Sequence, residues 1–117
     1  MGGRRGAYFV DGLPNHKRDR VAFPGFLYAV ELKNGLVKIG ATWNPSYRVV
    51  SFCRAEMVPA TRVAVAVTRK NRHALERVAL ARAGRIGVIH RGKELFYSLP
   101  FKVAAQIINQ VTRLKDA

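Results

Sequence analysis

Acidic residues and cysteines are scarce in this sequence. Only 7 aspartates and glutamates stand against 21 lysines and arginines, which gives a formal net charge of +14 over 117 residues. A chain this basic repels itself unless a polyanion neutralises it, so nucleic acid is the leading partner. The single cysteine, Cys53, excludes an intramolecular disulfide and a zinc site built on paired thiolates. We expect it to pack in the core.

Long apolar runs are also missing. The longest strongly apolar stretch, residues 63–67, is far too short to span a bilayer, and the N-terminus has no apolar stretch of the signal-peptide type. The sequence shows no amphipathic helix with a Lys/Arg-rich polar face opposite a bulky apolar face. This argues against a membrane surface as the partner. We therefore expect an intracellular, cytoplasmic protein.

The composition changes at about residue 24. Residues 1–24 mix Gly, Pro and Asn with basic residues and show no sustained apolar period, which predicts a basic, flexible N-terminal arm. A solvated tail and an arm that follows a phosphate backbone are equally good interpretations. Residues 25–117 are predicted to form one domain, because little chain is left for a second. The arm residues considered for nucleic-acid binding are Arg4, Arg5, Lys17 and Arg18.

The strands of this domain are predicted from alternation and turn residues. Residues 26–32 and 36–40 flank a Lys-Asn-Gly turn and indicate a β-hairpin. Residues 61–68 alternate valine with alanine and predict a third strand with both faces able to pack. Residues 94–99 are also predicted to be extended. The expected class is α+β, with a small three-stranded antiparallel sheet flanked by about three helices.

Three helices are predicted from their start and stop signals. Asn44-Pro45 is typical of a helix start, with Asn as the cap and Pro in the first turn. A second helix is predicted over residues 71–83, ending at Gly84. Pro100 opens a third helix. Its predicted inward-facing residues are Phe101, Ala104, Ile107, Ile108, Val111 and Leu114.

Two short strings in the hairpin precede chemically distinctive residues on the helices. The strings are GFLY at residues 25–28 and VKIG at residues 37–40. Arg48 then follows on the first predicted helix, Glu76 on the second, and ELF stands at residues 94–96. This order and spacing resembles the GIY-YIG nuclease superfamily, and most closely its Lys-Ile-Gly branch of phage, viral and bacterial proteins.

The resemblance implies a metal-dependent endonuclease that hydrolyses phosphodiester bonds in DNA, inside a bacterial cell or a phage-infected host. Tyr28 would orient or deprotonate the attacking water, and Arg48 would hold the scissile phosphate with its multi-donor fork. Glu76 would bind one Mg²⁺ or Mn²⁺ ion, because hard cations prefer carboxylate oxygen. Lys38 replaces the second tyrosine of the main family pattern, and would neutralise phosphate charge or serve as a base.

The hairpin register decides whether such a site can form. A two-residue turn would place Tyr28 opposite Ala41, on the face away from Lys38. A three-residue loop with Gly35 left-handed would place Tyr28 opposite Gly40 and on the same face as Lys38. We predict the second register. Gly40 would then leave space for the tyrosine ring and a phosphate.

Further candidates lie beside these four residues. His73, three residues before Glu76 on the same helical side, would assist the metal, a proton transfer or nucleic-acid binding, although a surface histidine is the ordinary alternative. His90 and Arg91 would border the nucleic-acid groove. Glu94 would supply a second carboxylate or position the metal's water, as a supporting residue.

Ordinary structural roles compete with each of these assignments. Tyr28 would be a packing residue in most strands, and the two cations of the site could belong to a solvated basic face. Glu76 could form a helical ion pair with Arg72 or Arg77.

Two departures from the family pattern leave the activity open. Leu80 stands where the Lys-Ile-Gly branch usually has a histidine, and Leu95 where it has a tryptophan. The alternative is a catalytically inactive GIY-YIG-like module that binds DNA or RNA through its charge. A basic protein that docks onto an acidic partner is a third hypothesis. DNA is favoured over RNA, and the oligomeric state stays open.

Overall fold

The computed structural model describes residues 12–13, 25–68, 71–91 and 95–114. The arm residues Arg4, Arg5, Lys17 and Arg18, as well as Glu94, lie outside these described residues. The elements in chain order are β1 Gly25–Leu32, β2 Val37–Thr42, α1 Pro45–Glu56, β3 Ala60–Thr68, α2 Arg72–Ala83, β4 Val88–Arg91, β5 Leu95–Tyr97 and α3 Phe101–Thr112.

The α+β class and the three helices agree with the prediction, but the sheet is larger than expected. It has five strands in the order β3-β1-β2-β5-β4, and every neighbouring pair is antiparallel. The prediction of three strands was wrong because β5 pairs with β2, through Val37 opposite Phe96, and β4 adds a further edge. These two strands have only three and four residues. Runs that short carry little periodic signal.

The interior strand β1 is buried on both faces. Leu27 and Ala29 belong to a core cluster with residues of α2 and α3, such as Ile108. Tyr28 and Val30 point to the opposite face, in a second cluster to which α1 contributes. Each fully buried aliphatic side chain of this kind contributes roughly 1.5–3 kcal/mol. The sheet is therefore covered by helices on both sides.

The predicted hairpin register is confirmed. Tyr28 lies opposite Gly40, and Val30 lies opposite Lys38, so Tyr28 and Lys38 share a face. The loop has three residues, closed by a hydrogen bond of 2.8 Å from the Leu32 amide to the Leu36 carbonyl. Gly35 has a φ of 89°, a left-handed conformation that side-chain-bearing residues rarely adopt.

The space over Gly40 is filled by Tyr28. A Cβ built at Gly40 would lie within 2.8 Å of three atoms of the Tyr28 side chain, including its hydroxyl oxygen. The expectation that Gly40 leaves room for the ring is confirmed. The tyrosine itself is only 1% exposed, so this gap is occupied by the ring in the described structure and offers no room for a phosphate beside it.

Gly40→Ala is expected to lower the free energy of unfolding by about 1–3 kcal/mol, because the added methyl overpacks the site. Urea unfolding of the purified variant would measure the loss. Gly84→Ala is the matched control, since Gly84 has a right-handed φ of −65° at the end of α2 and tolerates alanine. Equal stability of the Gly40 variant and the native chain would contradict the packing described for Tyr28.

The helix boundaries follow the predicted caps. Asn44 caps α1 through its side-chain oxygen, which accepts from the Tyr47 amide at 3.1 Å, and Pro45 occupies the first turn. Four of the residues predicted to face inward from α3 are buried, but Leu114 is 41% exposed and lies beyond the helix end. The prediction that it faces the core was wrong, since the helix ends at Thr112.

Cys53 is a core residue, as expected. It is fully buried on the inner side of α1 and is a free thiol. Burial raises the pKa of the thiol, which keeps it protonated and unreactive. In the described part of the chain, no helix has the length and apolar character needed to cross a membrane.

Candidate functional site

A cleft of about 380 Å³ opens where β2 ends and the first turns of α1 and α2 approach each other. Its volume falls within the range of roughly 300–1,000 Å³ that is usual for small-ligand sites. Three basic side chains stand among two aromatic ones in its wall. The residues that form the wall are Ala41, Thr42, Trp43, Asn44, Tyr47, Arg48, Arg72 and His73.

The electrostatics of this cleft favour an anion. The N-terminus of a helix carries a partial positive charge, and the wall is drawn from the first turns of two helices. No acidic residue occurs in the first turn of α1 or of α2. Arg48 and Arg72 add two full positive charges. Phosphate is the anion that such a combination commonly binds.

The α2 end of the cleft is fixed by a side-chain cap. The Asn71 side-chain oxygen accepts hydrogen bonds from the amides of His73, at 2.9 Å, and Ala74, at 3.3 Å. This cap starts the helix so that Arg72 and His73 occupy its first two positions. Both therefore lie at the positive end of α2 and form part of the cleft wall.

Arg72 is a member of the wall that the sequence reasoning missed. It was considered only as an ion-pair partner of Glu76. A Cβ built at Gly25 would lie 2.7 Å from the Arg72 Cδ, so the arginine stem packs directly over the start of β1. The absence of a side chain at Gly25, in the first string, lets Arg72 reach the cleft. Its position one residue before His73, directly after a capping asparagine, was the available signal.

Two of the predicted site residues, Arg48 and His73, come together in this wall. Arg48 is exposed on the first turns of α1. His73 lies one turn from Glu76, with its Nδ1 3.8 Å from the Glu76 Oε1. The Glu76 side chain is 17% exposed, so it is neither open on the surface nor sealed in the core. It does not belong to the wall as the described residues form it.

Tyr28 and Lys38 lie elsewhere, beneath α1. They are 1% and 7% exposed. The Lys38 Nζ sits 5.1 Å from the centroid of the Phe52 ring, a cation–π contact with a residue of α1. The cleft wall begins at Ala41, next to the glycine that Tyr28 covers. The two residues thus support the strand that leads into the cleft, and neither forms part of its wall.

The remaining candidates lie on the outer strands. His90 and Arg91 belong to β4, the edge strand, which β5 separates from β2. His90 packs edge-on against Tyr97, with ring centroids 4.6 Å apart. Leu95 and Leu80, the two departures from the pattern that the sequence resembles, both have packing roles. Leu95 is buried opposite Lys38, and Leu80 packs against the core cluster.

The predicted metal would depend on Glu76. Among the described residues, no three His, Cys, Asp or Glu side chains form a group that could hold an ion. A Mg²⁺ ion that keeps most of its waters needs only one or two carboxylates and the substrate phosphate. The partly exposed Glu76 carboxylate, one turn from an arginine-lined cleft, fits that kind of ion.

Comparison with protein-family models, with curated proteins and with solved structures finds no match to this chain.

Proposed function

We propose that this protein is a metal-dependent endonuclease of the GIY-YIG type that hydrolyses phosphodiester bonds in DNA. One observation carries the proposal. The cleft joins Arg48 of α1 to His73 of α2, and His73 contacts Glu76. A phosphate held by Arg48 would therefore share the cleft with the histidine that contacts the proposed metal-binding carboxylate.

The basic residues of the cleft and the neighbouring Glu76 have distinct parts in this reaction. Arg48 and Arg72 bind the phosphate oxygens and balance the negative charge that grows on those oxygens during attack. Glu76 would hold one Mg²⁺ or Mn²⁺ ion, and that ion would supply Lewis-acid polarisation of the phosphate and an acidified water. His73, between the carboxylate and the cleft, orients Glu76 or accepts a proton from the water.

The burial of Tyr28 and Lys38 changes the roles that the resemblance implies for them. A phenol that is 1% exposed does not reach an attacking water, so we assign Tyr28 to positioning the end of β2. Lys38, which is 7% exposed, contributes its charge from beneath α1, outside the cleft wall. These assignments leave Arg48, Arg72, His73 and Glu76 as the residues that act on the substrate and its ion.

Nicking of supercoiled plasmid tests the proposal. We expect relaxed circles when Mg²⁺ is present, and none after chelation with EDTA. Restoring Mn²⁺ to the chelated sample should restore nicking. Plasmid that stays supercoiled at every metal concentration would count against an endonuclease.

A second candidate function is a catalytically silent module that binds DNA or RNA. The burial of Tyr28 and Lys38, two of the four residues expected to be catalytic, specifically favours it. It predicts binding without cleavage, with an affinity that falls steeply with salt because counterions are released from each contacted phosphate. Filter binding between 50 and 200 mM salt, roughly the range over which such contacts weaken, combined with the plasmid assay, separates the two candidates.

A further inference from the structure

The basic cleft also contains aromatic side chains. Trp43 and Tyr47 both line it, beside Arg48 and Arg72. Tyr47 is 71% exposed, although it lies on a helix whose inner face is well packed. Phosphate binding alone does not need aromatic rings. Rings that stand next to arginines are the usual means of holding nucleobases by stacking, because every base has a flat π-face.

A second depression continues the cleft along the outside of α1. It measures about 250 Å³ and shares Asn44 and Tyr47 with the cleft. Tyr47, Ser51 and Arg54 are among its lining residues, and their spacing of four and three places them on one stripe of the helix. Tyr47 thus stands between two depressions, with Arg48 on one side and Arg54 on the other.

The dimensions of this groove fit a nucleic-acid strand better than a free nucleotide. Tyr47 and Arg54 are seven positions apart on the helix, which is about 10 Å along the axis. Successive phosphates of a stacked strand rise about 3.4 Å each. Arg54 would therefore contact a phosphate two to three positions from the base that stacks on Tyr47. A mononucleotide would fill the cleft and leave the second depression unused.

We propose that the cleft and the second depression bind an unpaired stretch of DNA, with one base stacked on Tyr47 and flanking phosphates on Arg48 and Arg54. In an intact duplex the faces of the bases are covered by their neighbours, so a ring can stack only on a base that is single-stranded or flipped out. The inference rests on the proposed function for its choice of DNA. It narrows the substrate to DNA that contains unpaired nucleotides.

Trp43 makes the cleft directly observable, because it is the single tryptophan of the chain. We would titrate the full chain, in EDTA, with a thymidine oligonucleotide, an abasic oligonucleotide of equal length, thymidine monophosphate and an intact duplex. Tryptophan quenching reports occupancy, and anisotropy of labelled strands reports affinity. We expect the thymidine oligonucleotide to quench Trp43 and to bind at least fivefold more tightly than the other three ligands, since stacking of one base is worth roughly a factor of five or more.

Variants separate stacking from charge. Tyr47→Ala should weaken binding of the thymidine oligonucleotide at least fivefold and leave the abasic strand unchanged, whereas Tyr47→Phe should retain both affinities. Tyr97→Ala is the matched control, because Tyr97 is also an exposed tyrosine but lies on β5, outside both depressions. It should change neither affinity.

Three results would overturn the proposal: equal affinity for the abasic and the thymidine strands, equal affinity for the intact duplex, or an unchanged affinity after Tyr47→Ala. If thymidine monophosphate bound as tightly as the thymidine oligonucleotide, the proposed role of the second depression in binding the DNA strand would be overturned. All of these measurements are made without metal, so they do not depend on hydrolysis. A chain that fails to nick plasmid but passes these tests loses the endonuclease proposal and keeps this one.

Discussion

Glu76→Gln is expected to lower the rate of plasmid nicking by roughly 100- to 1,000-fold, a loss of several kcal/mol in transition-state stabilisation. Glutamine keeps the size and a hydrogen-bonding oxygen of the side chain, but removes the negative charge that attracts a divalent cation. The variant should recover part of its rate at higher Mg²⁺ concentration. A metal titration of the nicking rate measures both effects.

The control for this change is Glu56→Gln, at the last residue of α1. It removes the same charge from a similarly half-buried helical position that does not line the cleft. It should nick at the native rate, and thermal unfolding should show both variants folded. Equal rates for Glu76→Gln and the native chain, at every metal concentration, would remove Glu76 from the mechanism.

The parts of the fold that were predicted correctly are those fixed by local chemistry. The three-residue loop before Leu36 requires a left-handed residue, and Gly35 supplies it. The turn residues allowed two registers, and the requirement that Tyr28 and Lys38 share a face selected the one that the structure shows. Asn44 and Asn71 each begin a helix because their side chains satisfy backbone amides that no helical carbonyl can reach. These constraints act within a few residues, and a sequence displays them directly.

The parts that were missed depend on contacts between distant segments. β4 exposes Val88, Ile89 and His90 to solvent. It therefore lacks the alternation of buried and exposed residues that is typical of a strand. The placement of α1 over Tyr28 and Lys38 depends on how that helix packs across the sheet. A motif shows which residues lie on one face, but it does not show whether a helix covers that face.

The same reasoning explains why the cleft was only partly foreseen. Arg48 and His73 were candidates because each belonged to a recognisable string or lay near Glu76. Arg72 belonged to no recognisable motif. Its position in the cleft wall depends on the close packing of its side chain against Gly25, 47 positions earlier in the sequence. Two helix starts that meet at one strand end form the basic cleft, and only the folded chain brings them together.

Arg48→Ala should weaken DNA binding and, if the chain hydrolyses DNA, should lower the nicking rate by roughly 100- to 1,000-fold. The larger effect on rate is expected because the arginine fork meets more negative charge in the pentacovalent transition state than in the bound phosphate. Arg48→Lys should restore binding more fully than rate, since an ammonium keeps the charge but loses the paired donors. Nicking and filter binding, measured on the same preparations, give both quantities.

Arg77→Ala is the matched control, because Arg77 is an exposed arginine on α2 that does not line the cleft. If both arginine variants lost binding equally, with no separate effect on rate, the contribution of Arg48 would be part of the general charge of +14. A catalytically silent binding module predicts a different pattern. Arg48→Ala would then lower the slope of log affinity against log salt concentration by about one, and neither the variant nor the native chain would nick plasmid. The ratio of lost rate to lost affinity therefore distinguishes a catalytic cleft from one that only holds phosphate.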